Sequence, residues 1–336
     1  MKQHTHPYLL RATELLKAGA LVAFPTETVY GLGADATNDQ AVAAIFKAKG
    51  RPSNNPLIVH TPCFASLCSC IDLSNHPDAS RIRAHLDALQ PLWPGPLSVV
   101  VPKAGHISPL VSAGGSTVAL RIPAHSLALE LLEACEIPLA APSANPSMYI
   151  SPTCAEHVRQ GLGDSVALIL DGGPCAVGIE STVLSLVTDK PTILRPGAVT
   201  PEVLETTLGC AVITHSSASS AASSILASPG MLAKHYAPHT PVMLAHEITK
   251  DTHLPTRVGA IVFHQGTLLP FTPVLRLVLS ERGELAEVAA HLFAALRELD
   301  SAGLDLIVVE TCEPRGMGAA IMDRLVRASF RSSTTR

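Results

Sequence analysis

The chain has 336 residues, 47% of them hydrophobic and 15% charged, and its 28 Asp and Glu against 24 Lys and Arg leave a formal charge of -4. That length suffices for two domains with cores of their own, and the apolar content excludes a largely disordered chain. The acidic balance argues against a protein whose main task is gripping nucleic acid, which needs a basic surface.

From the N-terminus, Tyr8, Ala12, Leu15 and Leu16 follow helical spacing up to Gly19, and Leu21–Phe24 reads as a strand. Asn38 suits the N-cap of a helix carrying Ala41, Val42, Ile45 and Phe46, which ends near Gly50. Further strands are expected at Leu57–His60, Leu97–Val101, Thr117–Ile122, Leu139–Ala141, Val166–Leu170, Thr182–Leu186 and Thr192–Arg195. Helical stretches between several of them predict an α/β domain. Ser216–Ser228, dominated by Ser and Ala, has little to bury and reads as linker. Beyond it strands at Val242–Leu244, Val258–Phe263, Leu275–Leu279 and Leu306–Val309 accompany helices at Glu284–Leu299 and Ala319–Ala328. That alternation predicts a second, smaller, Rossmann-like α/β unit. The expected division is 1–210, a linker over 211–240, and 241–336.

No apolar run approaches the ~20 residues needed to span a bilayer. The polar N-terminus does not read as an export signal, so the eight cysteines are expected as reduced thiols of a cytoplasmic protein. The cluster Cys63, Cys68 and Cys70, with His60 and His76, matches no zinc template, and Pro238 separates His235 from His239. No metal site built by the protein is expected. Arg324, Arg327, Arg331 and Arg336 make a basic C-terminus that reads as a solvated helix face and tail.

Polar residues gather at the ends of the first domain's strands. Gly31, Gly33 and Ala36 match a dinucleotide-binding fingerprint poorly, because six residues intervene after the strand and no acidic strand end follows. Lys49 and Arg51 lie just past a helix end, where they either complement the helix dipole or clamp an oligophosphate. Alternation puts Thr117, Ala119 and Arg121 on one strand face. A buried Arg121 needs an anion, which a ligand carboxylate or an internal Asp or Glu would supply. Ala141, Ser143 and Asn145 leave another strand through a small-residue turn, followed by Ser151. Glu180-Ser181-Thr182 and Arg195-Pro196-Gly197 add hydroxyls and a cation at strand boundaries.

In order, P-T-E-T-x-Y-G-L-G, K-G-R-P with N-P-L and a histidine, S-A-N, S-T and R-P-G resemble the threonylcarbamoyl-AMP synthase family, whose shared domain is called YrdC-like. The resemblance covers about residues 8–205. S-P-G-M-L-A-K-H-Y-A-P at 228–238 looks like the linker signature of the family's longer, two-domain form. The resemblance implies a YrdC-like twisted-sheet domain that makes threonylcarbamoyl-adenylate from L-threonine, bicarbonate or CO2, and ATP, with Mg2+ accompanying ATP. The product would pass to tRNA-modifying transferase proteins, with direct tRNA binding weak or absent. Carried over residue by residue, it places Lys49 and Arg51 on the phosphates and Asn55, Thr117, Ser143, Ser151, Arg195 and Tyr236 on ATP. Thr28, His60, Arg121, Ala141 and Ser181 fall to L-threonine. One departure stands out: Met148 occupies a position where the family often has glycine, so a positive φ there would require a different loop.

Overall fold

A computed structural model describes residues 8–214 and 235–330. Ser216–Ser228, positions 228–234 of the linker signature, Arg331 and Arg336 lie outside the described residues.

Nine helices and fourteen strands form among the described residues. The first unit carries the strands β1 (Val22–Phe24), β2 (Gly31–Asp35), β3 (Ile58–His60), β4 (Leu97–Pro102), β5 (Thr117–Arg121), β6 (Leu139–Ala140), β7 (Leu168–Ile169), β8 (Thr182–Ser185), β9 (Thr192–Arg195) and β10 (Ile213–Thr214). Its helices are α1 (Leu9–Lys17), α2 (Asp39–Lys49), α3 (Phe64–Ser69), α4 (Ala79–Leu89), α5 (Ser126–Cys135), α6 (Ala155–Leu162) and α7 (Pro201–Leu208). The strands join in one mixed sheet, ordered β10-β9-β8-β4-β5-β3-β6-β2-β1-β7. Its central members are buried along their length, and one large apolar cluster from Leu21 to Leu204 packs against them.

Local chemistry explains the elements that carry the site. The Asn38 side chain accepts from the backbone N–H groups of Gln40 and Ala41, at 3.0 and 3.2 Å, and starts α2. Gly50 ends it in the left-handed region, so Lys49 sits on the last turn and Arg51 immediately beyond. Gly31-Leu32-Gly33, noted in the sequence only as a poor dinucleotide-binding fingerprint, opens β2, paired antiparallel to β1. A Cβ at Gly33 would stand 2.8 Å from the Phe24 ring. The glycine is there to admit that ring, which is a packing role rather than a dinucleotide-binding one.

The second unit has a four-stranded, all-parallel sheet. Its strands are β11 (Val242–Leu244), β12 (Val258–His264), β13 (Leu275–Ser280) and β14 (Leu306–Val309), and its helices α8 (Leu285–Ser301) and α9 (Met317–Ser329). The strand order β11-β14-β12-β13 follows the βαβ alternation expected from the sequence. Its apolar side does not close on itself. Val29, Ile150 and Ile179 of the first unit, with Tyr236, join Leu292, Phe293, Ile321 and Leu325 in a shared core. Arg324, read from the sequence as solvated, is fully buried (0% exposed) in that junction.

Candidate active site

Beside the junction, a cleft is lined by residues from the ends of β3, β5, β8 and β9 and from the loops that follow β1, α2 and β6. Nine of the sequence-derived candidates line it: Thr28, Arg51, His60, Arg121, Ala141, Ser143, Ser181, Arg195 and Tyr236. Residues from Thr28 to Arg195 converge because the sheet order interleaves early and late strands, and Tyr236 joins them from the segment that precedes β11.

Each cation is held in a defined direction. The Arg51 fork donates from Nε to the Asn55 carbonyl at 3.1 Å, and from Nη2 to Asn55 Oδ1 at 2.6 Å and the Pro56 carbonyl at 2.7 Å. Asn55 therefore sets the fork's orientation and does not itself line the cleft. Arg121 donates to Thr28 Oγ1 at 2.9 Å and to the Gly95 carbonyl at 3.3 Å. Its Nη2 lies 2.8 Å from Glu27 Oε2, yet neither that nitrogen nor the Glu27 oxygens meet hydrogen-bond geometry. The internal carboxylate foreseen as one possible partner exists, and it leaves Arg121 Nη2 short of an aligned acceptor. Arg195 donates to the carbonyl and hydroxyl of Ser181, both at 3.1 Å, and the Ser181 hydroxyl shares a hydrogen bond with Ser98.

Burial sets the electrostatics. It pushes Arg51 down to about 9, Arg195 acting in the same direction and Tyr236 against it. Burial, with Arg121 nearby, pushes His60 down to about 3, so the ring is neutral at working pH. Lys49 is lowered by burial first and by Arg51 second. A buried cation that burial disfavours is a group that an anionic ligand would stabilise. The unsatisfied buried polar atoms tell the same story. His60 Nδ1, Arg121 Nη2, His235 Nδ1 and the Tyr236 hydroxyl have no hydrogen-bond partner, and all four residues line this one cleft. Buried polar groups are nearly always paired in folded proteins, so their convergence marks where a polar ligand belongs.

Three further candidates lie off the cleft wall. Lys49 Nζ donates to the carbonyls of Ser143, at 2.5 Å, and Asn145, bracing the loop that presents Ser143. Ser151 donates to Glu180 Oε1 at 2.5 Å. Thr117 begins β5 opposite Pro102, on the same face as Arg121 but four residues, about 13 Å, away along the strand. Only the far end of a long ligand would reach it. Met148 does adopt φ +68°: the loop keeps a left-handed backbone and carries the methionine at 44% exposure. Its carbonyl accepts from the Ala237 N–H at 3.0 Å, which ties the loop to the chain leading from Tyr236.

Nothing in the sequence singles out Arg297, and Arg324 reads there as solvated; both come from the second unit. Arg297 donates to the Ile150 carbonyl at 2.5 Å, and Arg324 reaches Glu180. Long-range pairs of this kind leave no local signal, since only the docking of the two units creates them. Among the described residues no helix is long and apolar enough to cross a membrane.

Comparison with known proteins agrees with this geometry. A family model described as telomere recombination matches residues 14–197, and one described as threonylcarbamoyl-AMP synthase, C-terminal domain, matches residues 199–329. The threonylcarbamoyl-AMP synthase of Bacillus subtilis is 40% identical over 332 residues, covering 96% of this chain and 93% of its own. That of Pyrococcus abyssi is 37% identical, covering 95% and 93%. A crystal structure of P. abyssi Sua5 complexed with L-threonine superposes with a TM-score of 0.84 at 37% identity, over 96% of this chain and 94% of that one. The chain belongs to the threonylcarbamoyl-AMP synthase family, over both of its domains.

Proposed function

We propose that this cleft carries out the family's reaction, joining L-threonine, bicarbonate or CO2, and ATP into threonylcarbamoyl-AMP and pyrophosphate, with the following division of labour. Arg121 and Thr28 take the threonine carboxylate, which supplies the aligned acceptor that Glu27 does not. His60, Ser181 and the backbone at Ala141 surround the rest of the amino acid. Arg51, oriented by Asn55, and Arg195 receive the phosphates, with Ser143 on the loop that Lys49 braces. The adenosine end extends along the β5 face towards Thr117, and Tyr236 covers the nucleotide. Ser151 acts through Glu180.

The chemistry asks for little else. The threonine amine adds to CO2 and loses a proton, giving a carbamate. A carbamate oxygen then attacks the α-phosphorus, and the bond from that phosphorus to the bridging oxygen breaks to release pyrophosphate. Neither step requires an enzyme nucleophile. Both require two anions to be held in line while charge on the phosphates is neutralised. The observation that carries the reading is the convergence of Arg51, Arg121 and Arg195 with four unpaired polar atoms, on His60, Arg121, His235 and Tyr236, on a single cleft.

Magnesium enters as the metal complex of ATP and neutralises phosphate charge. Among the described residues no group of three His, Cys, Asp or Glu could hold an ion, and Glu27 and Glu180 already face arginines. This donor set suits a metal carried largely by phosphate oxygens and water, as is usual for magnesium. The product is handed to tRNA-modifying transferase proteins in the cytoplasm, without tight tRNA binding by this chain. The test is pyrophosphate release by purified protein. It should require L-threonine and bicarbonate together and fail with serine; release that ignores either substrate would overturn the assignment.

A further inference from the structure

Arg324 belongs to α9 of the second unit, yet most of its hydrogen bonds are with the first. Nε donates to Glu180 Oε2 at 3.0 Å, Nη2 to the Glu180 carbonyl at 3.3 Å, and Nη1 to the Pro196 carbonyl at 2.7 Å. Nη1 also meets Asp323 on its own helix, at 2.9 Å. Glu180 lines the catalytic cleft next to Ser181 and Arg195, and its second oxygen accepts from Ser151. The Arg324 guanidinium carbon stands 5.5 Å from the centre of the Tyr236 ring, which also stacks on Phe293 of α8 with centroids 5.4 Å apart.

The placement of Glu180 poses a problem that Arg324 solves. A carboxylate in the wall of a cleft meant for an oligophosphate repels its ligand, and low local dielectric strengthens the repulsion. A buried carboxylate is tolerated when it is paired and fully hydrogen-bonded. Arg324 supplies the charge and Ser151 the remaining hydrogen bond. The Arg324 guanidinium is itself disfavoured by burial, but Tyr236, Glu180 and Asp323 together hold it firmly protonated.

We infer that Arg324 is a positioning residue for the reaction: it cancels Glu180 so that the cleft admits ATP. The C-terminal unit is thereby a working part of the active site. This rests on the phosphate-binding reading given above.

The test is a double-substitution cycle read by titration calorimetry with ATP and by the KM values for ATP and L-threonine. R324Q should weaken ATP at least tenfold while the threonine KM moves less than threefold, because Glu180 is left as a bare charge beside the phosphates. E180Q with R324Q should restore ATP affinity to within about threefold of E180Q alone, since a neutral Glu180 replacement needs no cation. An ATP affinity for R324Q within twofold of wild type overturns the inference. So does a double variant no better than R324Q, which is the pattern of a purely structural residue. If R324Q fails to fold, R324K and the double variant decide: each should bind ATP within about threefold of wild type, and a tenfold loss in either refutes the charge argument. Wild-type protein that binds ATP but releases no pyrophosphate would sink the synthase reading and leave the cycle readable. Wild-type protein that does not bind ATP overturns both.

Discussion

Gly178 offers the sharpest probe of how the two units meet. It has φ +75°, and a Cβ built there would stand 2.5 Å from Ala290 Cα and 2.5 Å from the carbonyl oxygens of Ala289 and Ala290, all backbone of α8. Carbon atoms in ordinary contact are about 3.5–4.0 Å apart, so G178A must push α8 back by roughly 1 Å. Alanine in a left-handed backbone costs about 1–2 kcal/mol, and forcing a methyl into a packed junction about 1–3 kcal/mol more. Gly173 provides the control. Its φ is +81° and no atom lies within 4 Å of its hypothetical Cβ, so G173A reports the backbone cost alone. Urea denaturation of both variants should place G178A about 1–3 kcal/mol below G173A. Because α8 carries the Phe293 that stacks on Tyr236, G178A should also weaken ATP binding while G173A does not. A G178A stability within about 0.5 kcal/mol of G173A would refute the docking of α8 on this loop.

R51A should lose most activity and remain folded, because it removes a group that faces the cleft; wild-type turnover would remove it from the phosphate site. R121A should chiefly raise the threonine KM, and a change confined to ATP would reverse the assignment of the two substrates. M148V should lower stability by about 1 kcal/mol despite solvent exposure, since a β-branched residue tolerates φ +68° poorly, whereas M148G should not lower it; equal denaturation midpoints for the three proteins would contradict this. His60 is held at about 3 in the folded chain against about 6.5 unfolded, so its contribution is complete above pH 6.5. As pH falls below that value the unfolded chain takes up the proton first, and stability drops by about 1.4 kcal/mol per pH unit until about pH 3. Burial lowers His157 to about 4, which deepens the same acid loss. Denaturation at pH 7.5 and 5.5 should show it, with H60N giving a shallower dependence; an unchanged slope would contradict a buried neutral ring.

How much of this could be read from the residues follows from the range of the forces involved. The Asn38 cap and the Gly50 stop are local chemistry, and α2 appears where they put it. Alternation from Thr117 to Arg121 correctly set one face of β5. Strand β2 escaped notice because two glycines weaken every strand signal, and the reason for one of them is the Phe24 ring of the neighbouring strand. At the site, motif order brought nine residues to one cleft, but it did not show that Lys49 turns to the Ser143 loop or that Glu27 faces Arg121. Arg324 was misread for a physical reason. Its spacing with Arg327 and Arg331 is that of a solvated face, and only the apposition of α9 to Glu180 makes burial of that charge tolerable.

The pattern of partners around the cleft explains why so many charges coexist there. Lys49 and Arg51 donate hydrogen bonds to neutral oxygens, carbonyls and an amide. Such acceptors fix direction while leaving the positive charge available, whereas a carboxylate in the same place would spend it. The two carboxylates that do occur are treated differently. Glu180 is cancelled by a full set of hydrogen bonds from Arg324 and Ser151, and Glu27 sits beside Arg121 without aligned hydrogen bonds. A fully bonded pair is costly to separate, so Glu180 is built to stay paired. The Glu27 contact lacks that alignment, so a ligand carboxylate that meets the Arg121 donors squarely competes with it on better terms. An adenylating site without a nucleophile depends on this distinction, because its donors must be fixed before the substrates arrive and still hold charge for the phosphates.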